Sequence, residues 1–529
     1  MFHVKPSRAA LVVALLVLSG PGRAQEADLA SGEAGEPPLA AGEVRLTSPG
    51  LEVRGRVLGF DGRFLRIEAA TGELMVDTQA MACEGAACPD PEGFVPQLRL
   101  SGDAVLGEAL LPTLIEGFAA AQGWELAGTD PYVLRRDGAE VLQLALRLTT
   151  TDDGIADLLA DEADLALLAR APSPAETERL VEAGLGGAGE LRLRPLAQGA
   201  LVPATGPGQR VGRITLEDLA RVYSGEVTSW AELGGEDLPV RAHLGPEGSA
   251  GAQAFLAEVL GATGRALSPE VIRHPDEAAL RAAVAADAQA LGILPFESYG
   301  DAQPLALVGQ CRLPWVPRPA AVRAGDYPLT VPLALLQPMR RLAPEAQAFV
   351  DFLATPEAQL VLRRGGLVGT EAVPVPWAEQ GERLAAAIRE AGPEVPLREL
   401  QRLVRVLGPF TRLSTTFRFG SGTELDPLSR GLVLRLAHEI ADGRYAGRTL
   451  ILAGFSDGRG AAEENRALSM RRTEAVREAL LEALGSELPE GLRLRLHAFG
   501  EALPIGCDGE GEGPWSAEVN RRVELWVSG

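Results

Sequence analysis

Asp457 and Arg472, fifteen positions apart, are the sharpest chemical signal in the chain. The helix expected to begin at Asn465 carries an apolar stripe of Leu468, Val476, Ala479 or Leu480, and Ala483, and Arg472 falls on it. A guanidinium on such a face is costly unless a charge pairs with it. Asp457, in the loop before the helix, supplies one, and a plain structural salt bridge is the bland reading. As a receptor, the pair suits a ligand bearing both an ammonium and a carboxylate. Asp457 would hold the first and Arg472 would clamp the second bidentately. Asn465 is expected to cap the helix.

A second set is built for an anion. The run Glu247-Gly248-Ser249-Ala250-Gly251 opens a predicted helix through Phe255 and Leu260. Free backbone NH groups would face a ligand there, and Ser249 would add its hydroxyl; an ordinary N-cap and tight turn is the alternative. Hydrolysis would need an activated nucleophile. Ser249 has His243 six residues earlier and no acid partner set, so the chain is not read as an enzyme. Lys5 is the only lysine, which removes Schiff-base and phosphate-loop chemistry from an exported chain.

The chain has 529 residues, enough for two to four domains, with 50 basic against 72 acidic side chains. That surface argues against nucleic acid as a partner. His3, Lys5 and Arg8 precede the apolar run Ala9 to Leu18 and then Gly20-Pro21-Gly22, the form of a secretory signal over 1–24. The run is too short to span a bilayer, and no transmembrane segment is expected in the mature chain. In an oxidising compartment Cys83 and Cys88 read as a local disulfide, and Cys311 and Cys507 as a candidate bridge between domains. No histidine and cysteine cluster has metal-ligand spacing, and neither metal nor cofactor is expected. The acidic run with Asp508, Glu510 and Glu512 lacks the order of a calcium loop.

These groups must be positioned by several domains. Residues 25–43 read as linker, and 44–95 as a small antiparallel β module closed by its disulfide. Alternating strands and helices follow over 96–372, for example a helix from Leu106 to Gln122 and one from Thr215 with Asp218 at its third position. A single helix is expected from Ala343 to Leu362, a helical connector over 373–412, and a strand and helix alternation over 413–529.

Five pieces carry a resemblance. Gly212 to Trp230, Gly245 to Gly251, Gln289 to Phe296, Asp326 to Thr330, and Phe349-Val350-Asp351-Phe352-Leu353 with Pro356-Glu357-Ala358-Gln359 resemble phosphate-type periplasmic solute-binding proteins, in the family's order. The resemblance implies two α/β lobes joined by a hinge, with an oxyanion in the cleft. It places Gly102 and Asp103 in the first anion loop, Thr149, Thr150, Thr151 and Gly154 in the second, Arg170 at the cleft edge, and Gly248, Ser249, Ala250 and Gly251 in the third. Gly245 stands where phosphate-binding members have an arginine, and Ala250-Gly251 where they have Gly-Thr. Asp103 adds a negative charge.

Phe419 to Leu425, Gly454 to Gly460, Asn465 to Val476, Gly500-Glu501 and Asn520 to Glu524 resemble the peptidoglycan-binding domain of the OmpA family. That resemblance implies diaminopimelate of the stem peptide as the zwitterion, and a site of Asp457, Arg472, Asn465, Ser456, Gly460 and Arg522. Arg521 or Arg522 is read as a strand or rim residue rather than a second clamp.

The fold class expected is α/β and α+β multidomain: a small β module, a two-lobed periplasmic-binding-protein fold, and a C-terminal OmpA-like βαβαβ domain. The function expected is a noncatalytic periplasmic, wall-associated protein that binds peptidoglycan and presents a domain for a small anionic solute such as phosphate. The alternatives are a substrate-binding component serving an ABC permease, or an envelope scaffold with a degenerate cleft.

Overall fold

A computed structural model describes residues 39–91, 93–186, 191–296, 298–309, 313–364, 367–389, 391–507 and 514–529. The signal expected over 1–24, Cys311, and the acidic side chains Asp508, Glu510 and Glu512 lie outside the described residues. The chain divides into two compact units, residues 1–59 with 65–89, and residues 60–64 with 90–529.

The first unit is a five-stranded sheet ordered β4-β3-β2-β1-β5. Its strands are β1 (Glu43–Ser48), β2 (Leu51–Phe60), β3 (Phe64–Ala69), β4 (Gly72–Asp77) and β5 (Ala82–Glu84). Val44, Leu46, Leu65 and Ile67 are buried on the alternating face. Cys83 and Cys88 are joined by a disulfide.

The second unit begins with β6 (Gln97–Asp103), α1 (Ala104–Gln122), β7 (Glu125–Thr129), β8 (Tyr132–Arg136), β9 (Ala139–Thr149), α2 (Thr151–Leu159), β10 (Leu165–Leu168) and α3 (Pro174–Glu182). All four residues of β10 are buried, as expected of a central strand covered on both faces. The long β11 (Arg192–Thr205) follows, then β12 (Arg213–Ile214), α4 (Leu216–Tyr223), β13 (Arg241–Leu244), α5 (Ala250–Phe255), β14 (Ile272–Arg273), α6 (Glu277–Ala286) and β15 (Ala290–Pro295). Short strands β16 (Gln303–Pro304), β17 (Ala306–Val308) and β18 (Pro314–Trp315) lead through α7 (Pro319–Ala324) to β19 (Thr330–Gln337). Then come α8 (Pro344–Phe352), α9 (Pro356–Arg364) and β20 (Val368–Gly369).

The two lobes share β11. Its Arg192–Ala200 half pairs with β19 beside β10, β6, β9, β8 and β7, and its Leu201–Thr205 half pairs with β15 beside β13 and β14. Thr215 caps α4 by accepting from the Asp218 amide, as the sequence predicts. The helix expected over Ala343 to Leu362 is broken between α8 and α9, because Pro356 cannot continue the first helix.

The remainder is β21 (Pro374–Val375), α10 (Trp377–Arg389), α11 (Leu397–Leu407), β22 (Phe410–Arg418), α12 (Pro427–Ala441), β23 (Thr449–Phe455), α13 (Ala462–Ala483), β24 (Arg493–Ala498), α14 (Pro514–Asn520) and β25 (Arg522–Ser528). The sheet runs β21-β22-β25-β23-β24. One face is covered by α12 and α13 around Val433, Leu436, Val476 and Leu480. The other is covered by α10 and α11 through Leu400, Leu403 and Leu407 against Ile451, Phe455 and Trp526. The segment expected as a connector therefore forms a layer of the C-terminal sheet.

This C-terminal sheet is joined to both lobes. On the first, Gly431 of α12 lies so close to β11 that an added Cβ would stand 2.4 Å from the Leu193 carbonyl. On the second, Trp315 donates to the Ile505 carbonyl at 2.8 Å and meets Trp515 edge-on. Between them is a buried charge network. Asp326 takes Arg412 at 2.7 Å and Arg418 at 3.1 Å, and Glu524 takes Arg522 at 2.8 Å, Arg383 at 2.9 Å and Arg412 at 3.4 Å. Burial pushes the Glu524 carboxyl up, but Arg412, Arg522 and Arg383 outweigh it and hold the group far below the usual carboxylate range. Arg412→Ala leaves two buried carboxylates short of a cation and is expected to cost about 3 kcal/mol of unfolding free energy. Urea denaturation of the full chain checks this, and a loss below about 1 kcal/mol would show that the network is not a joint.

Candidate functional site

Arg472 is placed by a close helix-to-strand approach. Gly454 on β23 lies under α13, where an added Cβ would stand 2.2 Å from the Ser469 carbonyl. The buried stripe of α13 is Asn465, Ser469, Arg472, Thr473, Val476 and Leu480. It is more polar than the predicted stripe, and Ala483 is exposed. Asn465 does not cap the helix. The cap is Ala461, and Asn465, one turn inside, donates to Glu501 Oε2 at 2.6 Å.

The Arg472 side chain has no exposure. It donates to four backbone carbonyls: Gly422 at 2.9 Å, Phe455 at 3.3 Å, Gly420 at 3.3 Å and Ser421 at 3.4 Å. Its guanidinium lies 5.5 Å from the centre of the Phe419 ring. Burial lowers its pKa to about 10, partly countered by the charge of Asp457. Asp457 itself pairs with Arg521 at 3.2 Å, each side chain about one-seventh exposed (13% and 14%). Arg521 also reaches the Phe419 carbonyl at 3.5 Å, which brings Asp457, Arg521 and Arg472 around one strap, residues 419–422.

Two expected members sit differently. Arg522 is enclosed and bound to Glu524, because successive strand residues face opposite sides and only Arg521 turns toward Asp457. The Ser456 hydroxyl is buried, and its oxygen has no hydrogen-bond partner. Gly460 has φ +95° in the loop between β23 and α13. Arg521 is the residue that sequence reasoning set aside; the doubled arginine after Asn520 was its only signal.

In the solute domain, Gly102 has φ +129°, and a Cβ there would stand 2.2 Å from the Leu167 carbonyl. Asp103 is buried. Thr150 caps α2, exchanging hydrogen bonds with Asp153, and the buried Thr151 hydroxyl accepts from the Ala169 amide at 3.0 Å. Ser249 caps α5 by accepting from Ala252 at 3.3 Å, which leaves its proton free to donate. Gly248 supplies the turn at φ +81°; Ala250 and Gly251 begin the helix. Arg170 is occupied. It donates to both Glu176 oxygens at 2.8 Å, to the Ala171 carbonyl at 3.0 Å and to Asp152, and the Arg170 hydrogen bonds hold Glu176 down to about 2. At Gly245, where the arginine of phosphate-binding members is missing, the backbone carbonyl accepts from Arg273 at 3.0 Å.

Cys507 is buried and disulfide-bonded. Among the described residues no group of three His, Cys, Asp or Glu side chains could hold a metal, and no helix is long and apolar enough to cross a membrane.

Comparison with known proteins gives the class. Residues 97–357 match the PBP superfamily domain and residues 416–513 match the OmpA family. The chain thus carries one region similar to the PBP superfamily domain and, after it, one similar to the OmpA family; domains of these kinds are typical of periplasmic and cell-envelope proteins. Among solved structures, an ABC-type phosphate transport receptor from Vibrio cholerae is similar at 17% identity, covering 51% of this chain and 99% of that one, with TM-score 0.42. PstS from Borrelia burgdorferi is similar at 14%, covering 52% and 98%, with TM-score 0.40. A possible phosphate binding protein from Planctomyces limnophilus is similar at 17%, covering 55% and 99%, with TM-score 0.41. No curated protein matches.

Beside the third cleft loop, His243 and His274 stack, with His243 Nδ1 2.9 Å from His274 Nε2 and the His243 Nε2 buried without a partner. Burial first, then the neighbouring His274, lower His243 to about 4; Asp287 raises it and Arg241 lowers it further. Folded His243 thus stays neutral where the unfolded chain, near 6.5, takes up a proton. Stability is full above pH 6.5 and falls as pH drops toward 4. The melting temperature should fall by a few degrees between pH 7 and pH 5, and His243→Gln should flatten that dependence.

Proposed function

We propose that this is a noncatalytic, wall-held protein of the periplasm. Its C-terminal domain grips the diaminopimelate of the peptidoglycan stem, and its middle domain presents a cleft for a small solute. The observation that carries the first part is Arg472: a fully buried guanidinium with no carboxylate within ion-pair distance among the described residues, held by three carbonyls of an exposed strap and by the Phe455 carbonyl of β23. A ligand carboxylate is a stronger partner for a guanidinium than a carbonyl, and would replace strap contacts with a bidentate, charge-assisted pair. The ligand ammonium would take Asp457, sharing it with or displacing Arg521. Asn465, bound to Glu501, and Ser456, with its unpartnered hydroxyl oxygen, are the further polar groups assigned to this site.

For the cleft, the free Ser249 proton and the loop geometry support an oxyanion such as phosphate. The occupied Arg170 and the missing arginine at Gly245 favour weak binding or a scaffold role. Delivery to an ABC permease is the transport reading. It fits less well with a domain whose two lobes both rest on the wall-binding sheet, since lobe closure by hinge motion would then strain that contact.

Pull-down on purified peptidoglycan tests the proposal. Asp457→Asn is expected to lower retention at least about tenfold by leaving a charge unpaired. Arg472→Ala should abolish it, with an unfolding curve run in parallel to separate binding from folding. Retention equal to wild type in a folded Asp457→Asn protein would remove the wall-binding assignment.

A further inference from the structure

Asp152 stands second in α2, immediately after the threonines of the second cleft loop, yet its carboxylate serves two partners from different lobes. One oxygen takes Arg170 from the end of β10 in the first lobe. The other takes Gln253 Nε2, on α5 of the second lobe, at 3.3 Å. Gln253 belongs to the helix that Ser249 caps. The two groups best placed to meet a bound oxyanion, a guanidinium on one wall and an amide on the other, are thus both bound to a carboxylate of the chain itself.

We propose that Asp152 is a specificity-determining latch. It spans the cleft, takes the hydrogen bonds an oxyanion would take, and must be displaced before one binds. This rests on the reading of the middle domain as a solute cleft. Three features fit a latch rather than a structural ion pair. Asp152 is 55% exposed, so it is held by its two partners and not by burial. Arg170 also donates to both oxygens of Glu176, a second anchor expected to keep the arginine aimed when the latch opens. Asp152 also adds negative charge where an anion must enter, which repels it at a range that salt shortens. The site therefore disfavours divalent oxyanions, accepts them more readily as ionic strength rises, and admits neutral or cationic solutes without that penalty.

The test uses the full chain, with inorganic phosphate as the probe, in two measurements. Hydrogen exchange of wild type and Asp152→Asn reads the latch without ligand: α5 lies in the other lobe and touches Asp152 through Gln253, so its amides should exchange at least about threefold faster in the variant, and Gln253→Ala should reproduce the change. Calorimetric titration reads competition: Asp152→Asn should bind phosphate about fivefold or more tighter than wild type, the scale of an exposed ion pair with added repulsion removed. Faster α5 exchange with phosphate bound by neither protein reduces Asp152 to a structural contact between the lobes and overturns both the latch and the oxyanion reading of the cleft. Unchanged exchange with equal phosphate affinity in both proteins overturns the latch and leaves the oxyanion reading standing. Unchanged exchange with no binding overturns both.

Discussion

The pairing of Asp326 and Glu524 with Arg383, Arg412, Arg418 and Arg522 is the constraint on which the larger unit depends. Each buried ion costs several kcal/mol of desolvation, which only close, multiple contacts return. Asp326 comes from the loop before β19, Arg383 from α10, and the others from the C-terminal sheet. The two carboxylates therefore meet all four guanidiniums only when the two-lobed domain, the α10 layer and the C-terminal sheet are all in place. Burial still tells on the most enclosed cation: the Arg522 pKa is lowered to about 9 despite Glu524 beside it. A hydrophobic joint would tolerate sliding; this one has a single register.

That joint gives the fusion a mechanical meaning. The domain that matches the OmpA family is not hung on a flexible tether. It rests on β11 through Gly431, on the second lobe through Trp315, and on the loop before β19 through Asp326. A change in lobe angle must therefore be absorbed at the C-terminal interface, and by reciprocity anything that stiffens the C-terminal domain bears on the lobes.

Much of the fold was legible locally. Thr215 with Asp218, the four-residue spacing of Leu110, Leu114 and Phe118 on one helix face, and the alternation in β1 each express a period or a cap that a few residues specify. The hairpin of β7 and β8 and the long β11 and β19 were not read, because their apolar residues are interrupted by Gly, Pro and Arg, and their identity as strands comes from neighbours in the sheet. The α10 and α11 layer looked like a connector for a related reason: an amphipathic helix shows that it has a buried face but not which surface covers it.

The candidate sites divide the same way. Residue types and near spacing settled that Arg472 lies on a buried helix face, that Ser249 stands at a helix start, and that Cys83 is within reach of Cys88. Tertiary structure alone decided that Asp457 meets Arg521, that Arg472 is held by the 420–422 carbonyls, and that Asp152 reaches Gln253, 101 positions away. Short-range pairing follows from the geometry of a turn or a helix. The choice of partner for a charge between distant segments follows from strand register and from how closely backbones approach, as at Gly454 and Ser469, and no local pattern encodes that distance.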